Sequence, residues 1–184
     1  MRNLLICLFI LFSWLTYSQN FRGLNWGASI SELKSKNPNT KWELEKDDNI
    51  VFYMTEDYVV GLITDVIYAF KEGKLVGGFY NFKENHVSDN LYYQDFKTIS
   101  SSLNKKYEME TEMEWNNDTW KDNSDYIGFA LVMGHVSISE QYEDDKTLIR
   151  HDISSDDYGG IEHLLIYKDM KLVKEDRDSV LDDF

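Results

Sequence analysis

The sequence predicts an α+β fold: one largely antiparallel sheet, built from two tandem helix-then-strands units, with the helices packed on it. Three observations lead there. Tyr92, Phe96, Ile99, Leu103 and Tyr107 recur every three or four residues, which is helical spacing. The runs Leu62 to Phe70 and Leu75 to Phe82 flank Glu72-Gly73, the signature of a two-residue hairpin. A short capped helix and strands precede that hairpin, and a helix and strands follow it.

The chain has 184 residues, and the first 18 read as a secretory signal peptide. Arg2 supplies the positive start, Leu4 to Leu15 the apolar run, and Thr16-Tyr17-Ser18 the small residues at the cleavage positions. The run is shorter than a membrane span needs. Cleavage leaves residues 19–184 as a single domain and removes Cys7, the only cysteine, so no disulfide is expected. The expected location is periplasmic or extracellular. Removing Arg2 leaves 18 basic residues against 33 acidic ones, which moves the net charge from -14 to -15. Such a surface repels phosphate backbones and anionic head groups, which excludes nucleic acid as a partner and membrane insertion after cleavage.

The mature chain opens on Phe21-Arg22-Gly23-Leu24-Asn25-Trp26-Gly27-Ala28-Ser29-Ile30-Ser31-Glu32-Leu33. Ser29 followed by Glu32 is a capping box, so a helix starts there, and it ends after Lys36 because Pro38 cannot continue it. About two turns cannot hold themselves in water. Trp26 is read as the buried aromatic anchor that pins them. Lys41 to Asp48 is polar apart from Trp42 and Leu44, and Ile50 to Met54 reads as the first strand.

In the central hairpin, pairing Phe70 with Leu75 puts Tyr68 opposite Gly77 and Val66 opposite Phe79. Side-chain alternation then gives a core face of Val66, Tyr68, Phe70, Leu75 and Phe79. Tyr68 would lie across the bare backbone of Gly77. The opposite face carries Ile67, Ala69, Val76 and Tyr80, more apolar than a solvated surface requires, and Ile67, Val76 and Tyr80 form the candidate binding surface. Asp89 to Tyr107 is the best helix, capped by Ser88 or Asp89, with its stripe around Phe96 packing on the hairpin's core face. A strand at Met113 to Trp115 leads into the hydrophilic loop Asn116 to Asp125. Tyr126 to Ile138 reads as a long apolar strand. Glu143-Asp144-Asp145-Lys146 turns into a strand at Thr147 to Ile153, and Ile161 to Tyr167 is the last. Asp169 to Phe184 is a charged tail in which Val180, Leu181 and Phe184 suit a short docked helix.

The opening motif resembles the mature start of many uncharacterised exported bacterial proteins in which a tryptophan-glycine pair leads into a short helix. The hairpin Tyr68-x-Phe70-x-x-Gly73-Lys74-Leu75 and Tyr107 fit the same pattern. More distantly, the helix-then-hairpin repeat resembles the β-lactamase-inhibitor and outer-membrane-assembly lipoprotein fold group. That resemblance implies a protein-binding module of the cell envelope without catalytic residues. Those inhibitors are usually tied by disulfides and those lipoproteins carry a lipidated cysteine. The mature chain has neither, so no residue roles carry over.

His86, His135, His151 and His163 match no metal-binding spacing, although His163 can approach His135 or His151 across strands. Closing the hairpin at Asp144-Asp145 would put His151 opposite Ile138. Asp118, Asp122, Asp125, Asp144, Asp145, Asp156 and Asp157 sit in acidic loops and offer the hard oxygen ligands that calcium takes, without the spacing of a calcium-binding loop. There is no nucleophile elbow, and Ser100, Ser101 and Ser102 show no adjacent base. The residues therefore point to an exported, non-catalytic interaction module with no cofactor and a protein or glycan partner in the envelope. A calcium-binding acidic-loop protein and a carboxylate-dependent hydrolase are the alternatives.

Overall fold

The computed structural model describes residues 20–156 and 159–181, with side chains through 175. The expected signal peptide, Asp157 and Phe184 lie outside the described residues, as do the side chains of Val180 and Leu181. In chain order the elements are α1 (Ile30–Lys36), β1 (Glu43–Asp47), β2 (Ile50–Val59), β3 (Leu62–Lys71), β4 (Lys74–Phe82), α2 (Asp89–Leu103) and β5 (Glu110–Trp115). There follow α3 (Ile127–Val132), β6 (Val136–Glu143), β7 (Thr147–Ser155), β8 (Ile161–Asp169) and α4 (Met170–Leu181). The eight strands form one antiparallel sheet in the order β1-β2-β3-β4-β8-β7-β6-β5. No helix among the described residues is long and apolar enough to cross a membrane.

The opening helix starts as its cap dictates: Ser29 Oγ accepts from Glu32 N–H at 3.2 Å. Its pin is a different residue from the expected one. Trp26 is only half-buried, its Nε1–H donating to Thr147 Oγ1 at 3.1 Å, whereas Phe21 and Leu24 are fully buried. Phe21 reaches the sheet where Gly78 has no side chain: a Cβ there would sit 2.3 Å from the Phe21 ring.

The hairpin turn is as expected, with Glu72 and Gly73 both at positive φ, 52° and 74°. The register then departs. Phe70 pairs with Leu75, but a bulge lets the next pair be Ala69 with Gly77, so Tyr68 opposes Gly78 and Val66 opposes Tyr80. The extra residue moves every later side chain of β4 to the other face. Tyr80 joins the core side, in ring contact with Phe21 at 5.1 Å. Phe79 goes to the open side, where its ring covers Gly77 in place of Tyr68.

Two further elements differ from expectation. Glu43–Asp47 is an edge strand with all five residues exposed, formed by backbone pairing alone, so it leaves no hydrophobic alternation to read. The run Tyr126 to Ile138 is not one strand: Ile127–Val132 is helical, and β6 begins only at Val136. Gly128 lets this helix meet the start of α2, since a Cβ there would lie 2.5 Å from the Cα of Asn90. Gly128→Ala should therefore force α3 off α2 and cost about 1–3 kcal/mol in urea unfolding. A cost below about 0.5 kcal/mol would contradict this contact.

The core lies on one face of the sheet. Phe21, Leu24 and Leu33 pack over Tyr53, Val66, Tyr68 and Phe70. Ile99 and Leu103 pack over Phe82, Ile149 and Leu165, and α3 packs over Val136, Ile138 and Ile153. The α2 stripe thus covers β7 and β8 together with one end of the first hairpin, where Phe82 is buried in its cluster and Leu62 and Tyr80 pack against it. Tyr107 lies past the helix end, which falls at Leu103.

Candidate functional site

Because α1, α2 and α3 all pack on the core face, side chains of opposite parity point to a face that none of these helices covers. The registers line these residues up across the strands. One row runs Met54–Ile67–Phe79–Ile166–Arg150–Gln141–Glu110 over seven strands from β2 to β5. The next runs Glu56–Asp65–Asn81–Leu164–Asp152–Ser139–Glu112. The face therefore divides. Over β2, β3, β4 and β8 it carries an apolar band of half-buried Met54, Ile67, Phe79 and Ile166. Over β8 to β5 it is a polar groove of about 530 Å³, lined among others by Glu112, Glu114, Ser139, Arg150, Asp152 and Glu162.

The groove's charges are unevenly satisfied. Asp152 accepts from Ser139 at 2.7 Å and from Arg150 at 2.9 Å. On the apolar side, Lys83 bridges Glu56 and Asp65 at 3.2 and 3.0 Å. The carboxylates of Glu112, Glu114 and Glu162 make no hydrogen bond or ion pair among the described residues.

Of the sheet residues singled out from sequence, Ile67 lies on this face, Val76 is the half-buried residue at the bulge, and Tyr80 belongs to the opposite face. Burial pushes the Tyr80 phenol up to about 12, despite the nearby Arg22 guanidinium. Of the residues read as structural anchors, Ser29 caps α1, and Tyr68 and Phe96 are buried. Glu32 contributes its backbone N–H to the cap, and Gly77 is covered by Phe79.

The acidic loops do not converge. Asn116 to Asp125 and Asp156 lie at the end of the sheet where β6 begins, whereas Asp144 and Asp145 lie at the other, where β6 turns into β7. Their carboxylates serve local turns. Asp144 Oδ1 accepts from Lys146 and Thr147 N–H at 2.8 and 2.7 Å, Asp156 Oδ1 from Gly160 N–H at 2.7 Å, and Asp118 pairs with Lys121 at 3.2 Å. Among the described residues no group of three or more His, Cys, Asp or Glu is placed to hold a metal ion.

Among the described residues, His151 and His163 belong to a buried polar network whose carboxylate the assumed register hides. Glu140, not Ile138, opposes His151, because the β6–β7 turn is two residues longer than assumed. Glu140 Oε1 accepts from Ser100 Oγ at 2.5 Å and Thr111 Oγ1 at 3.3 Å, and Oε2 pairs with His151 Nδ1 at 3.2 Å. His151 Nε2 lies 2.9 Å from His163 Nε2. Phe96 stacks on His151 at 4.1 Å and Phe82 packs on His163 at 4.6 Å.

Burial raises the Glu140 carboxyl, but the hydrogen bonds from His151 and Ser100 outweigh it and hold it below its ordinary value. Burial lowers His151 against the pull of Glu140. Burial and the neighbouring His151 lower His163 to about 3. A carboxylate beside two neutral imidazoles permits one proton arrangement. His151 Nδ1–H donates to Glu140, and His163 Nε2–H donates to His151 Nε2.

This is not a nucleophilic triad. Ser100 donates to the carboxylate and not to an imidazole, and His151 and His163 are 0% and 4% exposed, sealed under α2. Glu140 is the only buried carboxylate among the described side chains, so no desolvated acid stands in a cleft as a glycosidase-like pair requires. No protein-family model, curated protein or solved structure matches the chain.

Proposed function

We propose that the protein is an exported, non-catalytic interaction module of the cell envelope. In this reading two tandem units, α1 with β1–β4 and α2 with β5–β8, form a platform whose face left open by α1, α2 and α3 binds a partner protein. The observation that carries it is the aligned band Met54–Ile67–Phe79–Ile166 on a face that α1, α2 and α3 leave open. Contiguous apolar area of this kind on a soluble chain marks contact surfaces. Export rests on the amino-terminal sequence pattern. A partner protein fits the aliphatic band better than a glycan does, since sugars stack on flat aromatic platforms and Phe79 is the one ring in the row.

The test is capture from an envelope fraction on immobilised protein. Ile67→Asp places a charge in the middle of the band, while Phe129→Ser alters an exposed residue of α3 away from it. A protein retained by the wild type and by Phe129→Ser, and reduced at least tenfold by Ile67→Asp, is the expected result. Equal retention by all three would remove the face as the site. Unfolding midpoints of both variants close to the wild type make the comparison valid.

A further inference from the structure

The two halves of the open face differ in chemistry, and the difference specifies what would cover it. We propose that the partner docks through an extended segment that is apolar at one end and basic at the other. It would cross the strands obliquely, so that its apolar side chains lie on Met54, Ile67, Phe79 and Ile166 and its lysines or arginines pass beside Arg150 to lie over Glu112, Glu114 and Glu162. This rests on the reading of the open face as the binding surface and adds the chemistry of its occupant.

Charge complementarity carries the argument. The groove holds Glu112, Glu114, Asp152 and Glu162 against the single cation Arg150, and Arg150 is already engaged by Asp152. The three remaining glutamates make no ion pair among the described residues, so a cationic segment entering the groove displaces no existing partner. The serines between them, Ser137, Ser139 and Ser154, are small enough to leave the groove open and add hydroxyl acceptors. An acidic segment would be repelled, and a wholly apolar one would bury unpaired carboxylates on the second half.

The dimensions agree. Seven strands from β2 to β5 span about 29 Å at the usual interstrand spacing, and the four-residue offset from the Ile166 row to Glu162 and Glu114 adds about 13 Å along the strands, so the oblique path is about 32 Å. That is the reach of roughly ten extended residues. Half of such a segment would cover the apolar band and half the groove.

The probes are two labelled ten-residue peptides, each with four alternating leucine and valine residues followed by three charged residues spaced by serines, lysine in one and glutamate in the other. Fluorescence anisotropy should show the lysine peptide binding at least tenfold more tightly than the glutamate peptide, with affinity falling as salt rises. The triple variant E112Q/E114Q/E162Q should weaken it about tenfold, while a charge-matched triple away from the face, E32Q/E72Q/E108Q, changes it less than twofold.

Equal binding of the two peptides, equal loss in both triples, or no binding of the lysine peptide would overturn the inference. The outcomes separate it from the reading beneath it. If Ile67→Asp loses the captured envelope protein but the face triple keeps it, only the basic chemistry falls. If Ile67→Asp loses nothing, both fall.

Discussion

Phe21→Ala is expected to cost about 3–5 kcal/mol, the largest effect of any single truncation outside the strands. Phe21 is 2% exposed and lies against the rings of Tyr68, Tyr80 and Tyr167 at centroid distances of 5.1, 5.1 and 5.5 Å. Its site is shaped on the sheet side by Gly78, where any side chain would overlap the ring. Removing the ring leaves a cavity that the backbone on either side cannot close, because α1 is fixed to the sheet by reciprocal bonds between Gly27 N–H and Leu75 O and between Leu75 N–H and Ala28 O. Gly78→Ala attacks the same contact from the other side and should cost about 1–3 kcal/mol by overpacking. Trp26→Ala should cost only about 1–3 kcal/mol, since Trp26 is half-buried and contributes one hydrogen bond. Urea unfolding of the three variants checks the ranking. A larger loss for Trp26→Ala than for Phe21→Ala would restore tryptophan as the pin.

The second large effect is loss of stability in acid. His163 is held far below its unfolded value of 6.5, to about 3, and His151 is lowered as well. The unfolded chain therefore binds protons below pH 6.5 that the folded chain refuses, so their contribution is complete above pH 6.5 and declines as pH falls toward the folded values. Each group that stays neutral in the fold costs about 1.4 kcal/mol per pH unit below 6.5. By pH 5 that amounts to about 2 kcal/mol for His163, and the lowered His151 adds in the same direction. Glu140 adds in the same direction at lower pH: its depressed value supplies stability above the ordinary carboxylate range that is lost as pH falls through the folded value. Unfolding free energy measured from pH 7.5 to 5 should fall with this slope and flatten in a His151→Phe/His163→Leu variant. A wild-type stability independent of pH over that range would contradict the neutral histidine pair.

Much of the fold is legible in local signals. The cap at Ser29, the turn at Glu72-Gly73 and the α2 stripe through Phe96, Ile99 and Leu103 all act within a few residues, where the physics is set by neighbours in sequence. What was hidden depends on partners far along the chain. The bulge beside Ala69 moves Tyr80 to the core and Phe79 to the open face; Gly77-Gly78 next to it is the one local signal, and it does not say which residue is the extra one. Ile127–Val132 is apolar on every side, so periodicity alone cannot separate a helix from a buried strand; the deciding contact is Gly128 against Asn90. Edge strand β1 borrows its structure from β2. The same limit applies to the sites. Ile67 was legible as a face residue by alternation. The pairing of Glu140 with His151 depended on a two-residue register difference, and the apolar band depends on β4 pairing with β8, a contact between chain halves that no local pattern announces.

The central claim is that the face left open by α1, α2 and α3 is the working surface while the histidine side serves the fold. Hydroxyl-radical footprinting of the protein alone and with its captured partner tests that most directly. The account predicts protection of Met54, Ile67, Phe79 and Ile166, with the exposed Tyr126, Phe129 and Met133 labelled equally in both states. Protection of Tyr126, Phe129 and Met133 with an unchanged Met54–Ile166 row would contradict it.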